Sequence, residues 1–347
     1  MVVFLPAAIL YQRRRYTVNT HLSRVESRVS RAQNSRPSTI VSRLSSAFSL
    51  VELLVVITIL SLIVLALMAV FNTTQLAFRA SVTQTDVLEG GRATMDRITA
   101  DLRQISPSFG HSNVLVNTPP GSSFYYCESN NPVNFYANTN AYYTHTLVQS
   151  LPGSGTQRTN VLENFFILNR DNLNGRPTWV ATGYAVDTLS PTDLNPLYRF
   201  YVTANVQSSP NPTNLYNSFM LSIANSDFTN ANWSHLLDGV VQLTVRAYDT
   251  NGVWMTNGYS FGYKNDVNNT LFLPSTLGEV GFYMFSNTLP ASVEIQLGVL
   301  EDRVLQRAAS LQNGTLVQSN YLALQAGKVH IFRQRVSIPN ADPSAYQ

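Results

Sequence analysis

The longest apolar stretch of the chain lies near its N-terminus, at residues 48–71 (FSLVELLVVITILSLIVLALMAVF). Only Ser49, Glu52, Thr58 and Ser61 interrupt it with polar side chains. As an α-helix this stretch would be roughly 36 Å long, and the hydrocarbon core of a bilayer is roughly 30 Å thick. The pattern therefore predicts one helix that crosses a membrane.

The helical pattern continues beyond the apolar stretch, over residues 72–106. This segment contains no proline before Ser106-Pro107, which is the expected stop. Gly90-Gly91 is expected to be a soft point or bend. Apolar residues recur at helical spacings of three and four: Phe78 and Val82 share a face, and so do Met95, Ile98, Leu102 and Ile105. We expect half of a long helix to lie in lipid and half to pack on the following domain.

From residue 107 to 347, short runs rich in Val, Tyr, Phe and Thr alternate with turns rich in Asn, Gly and Pro, as in a β-rich domain. The predicted strands are Phe165–Leu168, Trp179–Val186, Tyr198–Val206, Phe219–Ile223, Val240–Tyr248, Val253–Met255, Val280–Phe285, Val293–Leu300 and Val329–Ile338. Residues 249–252 have the composition of a hairpin turn, and residues 301–311 are predicted as a short helix. Residues 107–160 are expected to form long loops with a few strands. The predicted fold class is α+β, with a long N-terminal helix packed on antiparallel β-sheet.

Charge is distributed unevenly along the chain. Charged residues make up only 12% of the sequence, and the net charge is +3. Residues 1–47 contain eight arginines and one acid, Glu26, so the remainder is slightly acidic. Arginines beside a membrane-crossing helix keep that end in the cytoplasm, which predicts that residues 72–347 are translocated. Proteins that bind nucleic acid usually have a basic face in the folded part, and no basic cluster follows residue 47, so nucleic acid is not an expected partner.

The junction between the basic segment and the apolar stretch carries the main functional signal. The small residues Ser45-Ser46-Ala47 precede Phe48-Ser49-Leu50-Val51-Glu52, and the membrane-crossing run follows. This series resembles the class III signal of type IV pilins and type II secretion pseudopilins. The resemblance implies that a prepilin peptidase cuts between Ala47 and Phe48, that Phe48 is then N-methylated, and that residues 1–47 are a leader that is removed. The family usually has Gly where this chain has Ala47, and the leader is longer than usual.

Glu52 places a carboxylate inside the membrane-crossing run. An acid there costs about 2.5–3.5 kcal/mol on insertion scales, so it should have a partner or reach the interface. Cleavage would create an ammonium group at Phe48, and in a fibre the ammonium of a neighbouring subunit would serve as the counter-ion. The alternative is that Glu52 only extends to the interface or stays protonated. The complete motif favours a role in assembly.

A second resemblance extends over much of the remaining chain. Five segments follow one another in the order found in J-type minor pseudopilins: 91–104, 197–199, 236–249, Trp254 and 289–295. The resemblance implies a pilin-like fold and a subunit of the inner membrane, whose C-terminal domain is periplasmic and whose partners are other pseudopilins or pilins. Insertions around 107–160 and 205–235, and an extension after 300, depart from typical members.

The predicted function is therefore structural: a minor or tip subunit of a type II secretion pseudopilus or a related pilus-like fibre. The alternative within this class is a minor pilin of a type IV pilus or DNA-uptake system. The alternative from another class is a membrane-anchored extracytoplasmic enzyme or carbohydrate-binding protein, which would need a pocket with convergent polar groups. No catalytic residue and no cofactor is predicted.

Other candidate sites have weaker patterns. The five histidines lack metal-ligand spacing, and Cys127 is the single cysteine, without a partner for a disulfide or a zinc site. Asp171–Gly175 resembles a calcium loop, but Leu173 stands where an oxygen ligand is needed, so a turn is the preferred interpretation. Calcium at residues 265–269 (NDVNN) would have support from one carboxylate only.

Overall fold

The computed structural model describes residues 49–109, 132–139, 147–190, 193–208, 212–256, 270–273, 278–311 and 315–346. Four α-helices lie in these residues: α1 (Leu50–Leu102), α2 (Thr213–Ala224), α3 (Asp302–Ala309) and α4 (Leu316–Ala323). The strands are β1 (Val133–Thr139), β2 (Val148–Ser150), β3 (Gln157–Thr159), β4 (Glu163–Leu173), β5 (Arg176–Val186), β6 (Leu197–Asn205), β7 (Trp233–Leu237), β8 (Val240–Tyr248), β9 (Thr270–Leu273), β10 (Gly281–Phe285), β11 (Ser292–Leu300) and β12 (Val329–Ser337).

The strands form a large sheet, a small sheet and a hairpin. The order is β7-β6-β5-β4-β1-β10-β9 in the large sheet and β12-β11-β8 in the small one, and β2 pairs with β3. Neighbouring strands within each sheet are antiparallel. A long N-terminal helix and an antiparallel β-sheet domain make this an α+β, pilin-like arrangement, which confirms the predicted fold class.

Helix α1 runs for 53 residues without interruption. It begins to pack against the domain at Val87, and its buried positions recur at spacings of three and four. The predicted stripe is confirmed, because Met95, Ile98, Leu102 and Ile105 are all buried. The helix ends at Leu102, a few residues before Ser106-Pro107, and the chain then bonds to β4 through the Ser106 N–H and the Leu168 carbonyl oxygen (3.2 Å).

Gly90-Gly91 allows close packing where the sequence predicts a bend. Helix α1 continues through both residues. A Cβ atom on Gly91 would overlap the ring of Phe332 in β12. The absence of a side chain on Gly91 therefore lets α1 approach the small sheet closely.

The core has a part on each face of the large sheet. On one face, residues such as Phe135 and Phe165 pack with the buried stripe of α1 and the inner face of the small sheet. On the other face, α2 covers an aromatic cluster that includes Phe166, Phe200 and Trp233. Because α1 and the small sheet cover one face and α2 covers the other, the central strands are buried on both sides.

The predicted strand Phe219–Ile223 is wrong, since these residues belong to α2. The helix buries Leu215, Phe219 and Ile223, which recur every four residues, and the five-residue window hid this period. Gly183 in β5 gives the ring of Phe219 room to approach the sheet.

The other predicted elements have mixed outcomes. Seven predicted strands are confirmed, as β4, β5, β6, β8, β10, β11 and β12, and the predicted short helix is α3. Val253–Met255 is not a strand, because only Trp254 makes a bridge, to Tyr248 across the turn. Strands β7 and β9 and helix α4 were not predicted, because their short runs lack a clear period.

Candidate processing and assembly site

The described residues begin at Ser49, so Ala47 and Phe48 lie outside them. Cleavage between Ala47 and Phe48, and methylation of Phe48, therefore stay predictions. The structure does describe the residues that immediately follow, including Glu52 and the whole apolar run up to Phe71.

Ser49 and Glu52 form a reciprocal capping box at the start of α1. The backbone N–H of Ser49 donates to Oε2 of Glu52 at 3.0 Å, and the backbone N–H of Glu52 donates to Oγ of Ser49 at 3.4 Å. The N–H groups in the first turn of a helix have no backbone partners. A capping box provides side-chain acceptors for two of these N–H groups. A carboxylate is also favourable at the positive end of the helix dipole.

The capping box gives Glu52 a function within a single chain. The pattern Ser-x-x-Glu before an apolar run is readable in the sequence, and capping is a role of Glu52 in addition to the predicted charge pair. Ser49 directly follows the predicted new N-terminus, so this contact holds the carboxylate at the residue that comes next in the chain. The assembly role of Glu52 stays a prediction, with helix capping as its competitor.

Apolar side chains cover the first half of α1 on every face. All Leu, Val, Ile, Met and Phe side chains from Leu50 to Phe71 are between 46% and 80% exposed. The helix contains an 18-residue window with a mean hydropathy of 3.2, none of which is buried in the protein. The hydroxyl groups of Thr58 and Ser61 donate to carbonyl oxygens of their own helix, at 2.8 Å each. Polar groups satisfied within the helix are what a lipid environment requires.

Beyond the apolar run, α1 has two faces with different surroundings. A helix turns by roughly 100° per residue, so Phe78 and Val82 lie about 40° apart and Val87 lies about 180° from Phe78. Val87 is buried against the domain, whereas Phe78 is 70% exposed and Val82 is 42% exposed. We call Phe78 and Val82 the outer stripe. It points away from the domain to which the same helix is attached.

A buried ion pair attaches the end of α1 to the large sheet. Oδ2 of Asp101 accepts hydrogen bonds from Nε of Arg199 and from the hydroxyl of Tyr184, at 2.6 Å each, and its Oδ1 accepts from Nη2 of Arg199 at 3.2 Å. Tyr184 in β5 and Arg199 in β6 are directly paired across the sheet. Burial, and then the nearby charge of Asp101, raise the pKa of Tyr184 above its usual range, so its hydroxyl stays protonated and donates.

In the sequence Asp101 and Arg199 belong to separate segments of the pseudopilin-like pattern, and the structure brings them together. Nothing in their spacing of about a hundred residues predicts the contact. Since both side chains are largely buried, each charge depends on the other for its stabilisation.

A second buried acid, Glu163, lies where β4 meets the small sheet. It is fully buried, and its Oε2 accepts the backbone N–H of Val245 in β8 at 2.5 Å. Among the described residues its Oε1 has no hydrogen-bond partner. Burial raises the pKa of Glu163 well above its usual range, and the charge of Glu279 adds to this, although the Val245 hydrogen bond and Arg246 oppose it. No sequence signal singled out Glu163, because its burial is a tertiary property.

The candidate calcium loop at Asp171–Gly175 is a turn, as preferred. Leu173 pairs with Arg176, and both residues between them have positive φ, 54° at Asn174 and 74° at Gly175. An Asn-Gly pair with positive φ is typical of two-residue hairpins. Within the described part of the chain, no group of three or more His, Cys, Asp or Glu side chains is placed to hold a metal. Cys127 and residues 265–269 lie outside that part.

Residues 42–68 match the family model for the prokaryotic N-terminal methylation motif. This short match contains the predicted cleavage site, Glu52 and most of the apolar run. No curated protein and no solved structure matches the chain. Together with the exposed apolar helix, the motif supports a prepilin-like protein anchored in a membrane, and it implies processing by a prepilin peptidase and partners of the pilin type.

Proposed function

We propose that the chain is a structural subunit of a pilus-like fibre, as a minor pseudopilin of a type II secretion pseudopilus or of a related fibre. The observation that carries this proposal is the methylation motif at the start of a single unbroken helix. In such a subunit the helix first holds the chain in the inner membrane and then joins the fibre.

The contrast between the two parts of α1 supports a fibre subunit over a simple membrane anchor. An anchor needs only the apolar run, which ends at Phe71. Here the helix continues for about 30 residues more, and it presents the exposed apolar outer stripe on the face opposite the domain. Exposed apolar side chains rimmed by polar ones are typical of protein–protein contacts.

The order of segments shared with J-type minor pseudopilins favours a secretion pseudopilus among the possible fibres. A minor pilin of a type IV pilus or DNA-uptake system stays the alternative, because the methylation motif is common to both kinds of fibre. In either case we propose that the N-terminus is cytoplasmic, that the domain lies in the periplasm, and that the subunit works without a catalytic residue, a cofactor or a nucleic-acid partner.

The test is recovery of the processed chain in sheared fibres. The full chain is produced in a host with a prepilin peptidase and an assembly ATPase, and the N-terminal peptide is identified by mass spectrometry. We expect a peptide that begins at methylated Phe48, in the fibre fraction as well as in the membrane. The variant Ala47→Leu should block cleavage and keep the chain out of fibres, whereas the matched variant Ala47→Gly should preserve both.

Two results would contradict the proposal. A mature chain that still carries residues 11–47 would exclude processing at the predicted site. A processed chain that stays entirely in the membrane while other subunits form fibres would leave membrane anchoring intact but exclude a fibre subunit.

A further inference from the structure

A groove opens on the large sheet at the hairpin that joins β4 to β5. Its volume is about 530 Å³, and sites for small ligands typically have roughly 300–1,000 Å³. The residues that line it are Leu173, Asn174, Arg176, Thr178, Thr203 and Asn205. Only Leu173 is apolar, so the lining favours a ligand that is polar over most of its surface.

Strand register places the lining side chains of β5 and β6 on one face of the sheet. Thr178 lies directly opposite Asn205, and Arg176 and Thr203 are each two residues away along the same strands. Side chains two residues apart in a strand share a face. Arg199, which bonds to α1, belongs to the same series in β6. The groove is therefore on the face against which α1 packs.

The groove lies beyond the end of α1. Ser106, which follows the helix, donates from its Oγ to Oδ1 of Asn169 at 3.4 Å. Asn169 belongs to the same cross-strand row as Thr203, and the row of Thr178 and Asn205 is the next one away from the helix. The rows that carry the groove therefore start at this contact and continue past the helical segment.

Local hydrogen bonds hold the groove in a fixed conformation. Asn174 and Gly175 form a two-residue turn, with φ of 54° and 74°. The hydroxyl of Thr178 donates to the carbonyl oxygen of Arg176 at 3.0 Å. In β6, Oδ1 of Asn205 accepts the backbone N–H two residues later at 2.8 Å. A ligand would meet groups that are already in position, which lowers the entropic cost of binding.

Several hydrogen-bonding groups at the groove have no partner among the described residues. They are the guanidinium of Arg176, the side-chain amide of Asn174, the hydroxyl of Thr203 and Nδ2 of Asn205. A guanidinium offers five N–H donors, whereas amides and hydroxyls both donate and accept. A sugar carries closely spaced hydroxyl groups that also donate and accept, so it matches this set of groups.

The charges around the groove favour a neutral ligand. Arg176 is the one cation among the lining residues. Asp171 is exposed on the same face, in the row of Thr178, and diagonal neighbours across two strands are about 7–8 Å apart. A carboxylate or phosphate bound by Arg176 would therefore meet Asp171 as a like charge, whereas a neutral ligand would not.

Tyr201 adds an aromatic surface next to the groove. It lies two residues before Thr203 on the same face and is 38% exposed. The guanidinium of Arg199 lies over its ring, 4.9 Å from the centroid, and fixes the ring in place. One face of a sugar ring carries mainly C–H groups, and such a face packs on an aromatic ring.

We propose that this groove binds a neutral carbohydrate. Arg176, Asn174 and Asn205 hydrogen-bond neighbouring hydroxyl groups, Thr203 bonds a further one, and Tyr201 packs against a sugar ring. The inference goes beyond the proposed function and does not depend on it. A fibre that contains this subunit would attach to a polysaccharide through the groove.

Glycan binding by the full chain in detergent tests the inference. The probes are immobilised β-glucan, mannan, galactan and xylan oligosaccharides, with polygalacturonate and polyglutamate as acidic probes. We expect binding to at least one neutral glycan. Titration calorimetry with that oligosaccharide should show a loss of affinity of at least about tenfold for Arg176→Ala and of about threefold to tenfold for Thr203→Val, the scale of lost hydrogen bonds.

Arg170→Ala is the matched control. Arg170 is also exposed at this end of the sheet, but it lies on the opposite face, where its guanidinium is over the ring of Trp179. Its loss should leave the affinity unchanged. Arg176 and Thr203 are exposed, so thermal unfolding of each variant should match that of the parent.

Three outcomes would overturn the inference. A folded parent chain that binds none of the neutral glycans has no such site. Unchanged affinity in Arg176→Ala and Thr203→Val would place the glycan elsewhere on the protein. Binding restricted to polygalacturonate and polyglutamate would show that the groove takes a carboxylate. None of these results affects the proposed function, which recovery in sheared fibres tests separately.

Discussion

The two halves of α1 follow opposite rules within one continuous helix. Between Leu50 and Phe71, apolar side chains occupy all faces and are exposed. Between Val87 and Leu102, buried side chains occupy one face, and the charged side chains of Glu89, Arg92, Asp96 and Arg97 are exposed. The first half is suited to the interior of a lipid bilayer, which contains no water. The second half is suited to packing against a domain on one side only. The difference shows that one continuous helix connects a lipid environment to the surface of a folded domain.

Polar groups are also satisfied differently in the two halves. In the first half the partners are local: Glu52 bonds to Ser49, and Thr58 and Ser61 bond to the turn before them. In the second half, Asp101 finds its partner in Arg199, on a strand far along the chain. Local partners leave the first half independent of the domain, whereas the ion pair holds the second half at one position on the sheet.

The largest effect should come from removal of the buried ion pair, which attaches the second half of α1 to the large sheet. Asp101→Asn leaves Arg199 buried without a counter-ion, and Arg199→Met leaves Asp101 with only the half-exposed Arg97, whose Nη2 lies 3.6 Å from its Oδ1. Each should lower the free energy of unfolding by about 3–5 kcal/mol. The measurement is urea unfolding of the full chain in detergent. The double variant should cost less than the sum of the two, because neither charge remains.

Asp96→Asn is the matched control for Asp101, since Asp96 is exposed on the same helix. It should change the free energy of unfolding by no more than about 0.5 kcal/mol. If Asp101→Asn costs no more than Asp96→Asn, the ion pair does not attach the helix.

Glu52→Gln tests the first half, where we predict that the carboxylate acts between subunits. Insertion and cleavage should be unchanged, because neither needs a charge pair. The amount of chain in sheared fibres should fall sharply, since loss of one partner of a pair in low dielectric can cost about 3–5 kcal/mol. Glu52→Asp should give an intermediate amount, because it keeps the charge with a shorter reach.

Ser49→Ala distinguishes assembly from helix capping. It removes the hydroxyl that caps Glu52 and keeps the carboxylate, at a cost of about 1 kcal/mol at the helix end. We expect its fibre yield to stay near that of the parent chain. A loss as large as that of Glu52→Gln would show that the fibre yield depends on capping of the helix start, and equal yields for Glu52→Gln and the parent would exclude the assembly role.

Gly91→Ala should destabilise the contact between α1 and the small sheet. Helix propensity alone would favour Ala by about 1 kcal/mol. The new methyl group would overlap the ring of Phe332, and such overpacking costs about 1–3 kcal/mol. In a Phe332→Leu background the same substitution should cost clearly less. A stabilising effect of Gly91→Ala in the parent chain would show that the close contact is unimportant.

The last effect that we predict depends on pH and concerns Glu163, which lies where β4 meets the small sheet. Because the folded-state pKa of Glu163 is raised, its contribution to stability is complete below the unfolded pKa of about 4.3. This contribution to the free energy of unfolding is lost as the pH rises toward the folded-state pKa, at up to about 1.4 kcal/mol per pH unit. Glu163→Gln should remove this loss, so its stability relative to the parent should increase with pH. Asp171→Asn, exposed on the same strand, should leave the pH dependence unchanged.

Features set by neighbours in the chain were predictable from the sequence alone. The membrane-crossing run, the buried stripe from Met95 to Ile105, the Asn174-Gly175 turn and most strands depend on a local period or a local turn. The capping box of Ser49 and Glu52 is also local, and it was readable although it was not recognised. The methylation motif is also set by neighbours in the chain, because a peptidase recognises a short continuous segment.

Only the tertiary structure decided the features that depend on distant contacts. Phe219 lies in a helix because α2 covers an aromatic face of the large sheet, and a five-residue window does not contain that face. The partner of Asp101, the burial of Glu163 and the overlap that Gly91 avoids all involve residues far away in sequence. The physical reason is that burial and charge pairing depend on which surfaces meet, and the chain determines this only after it folds.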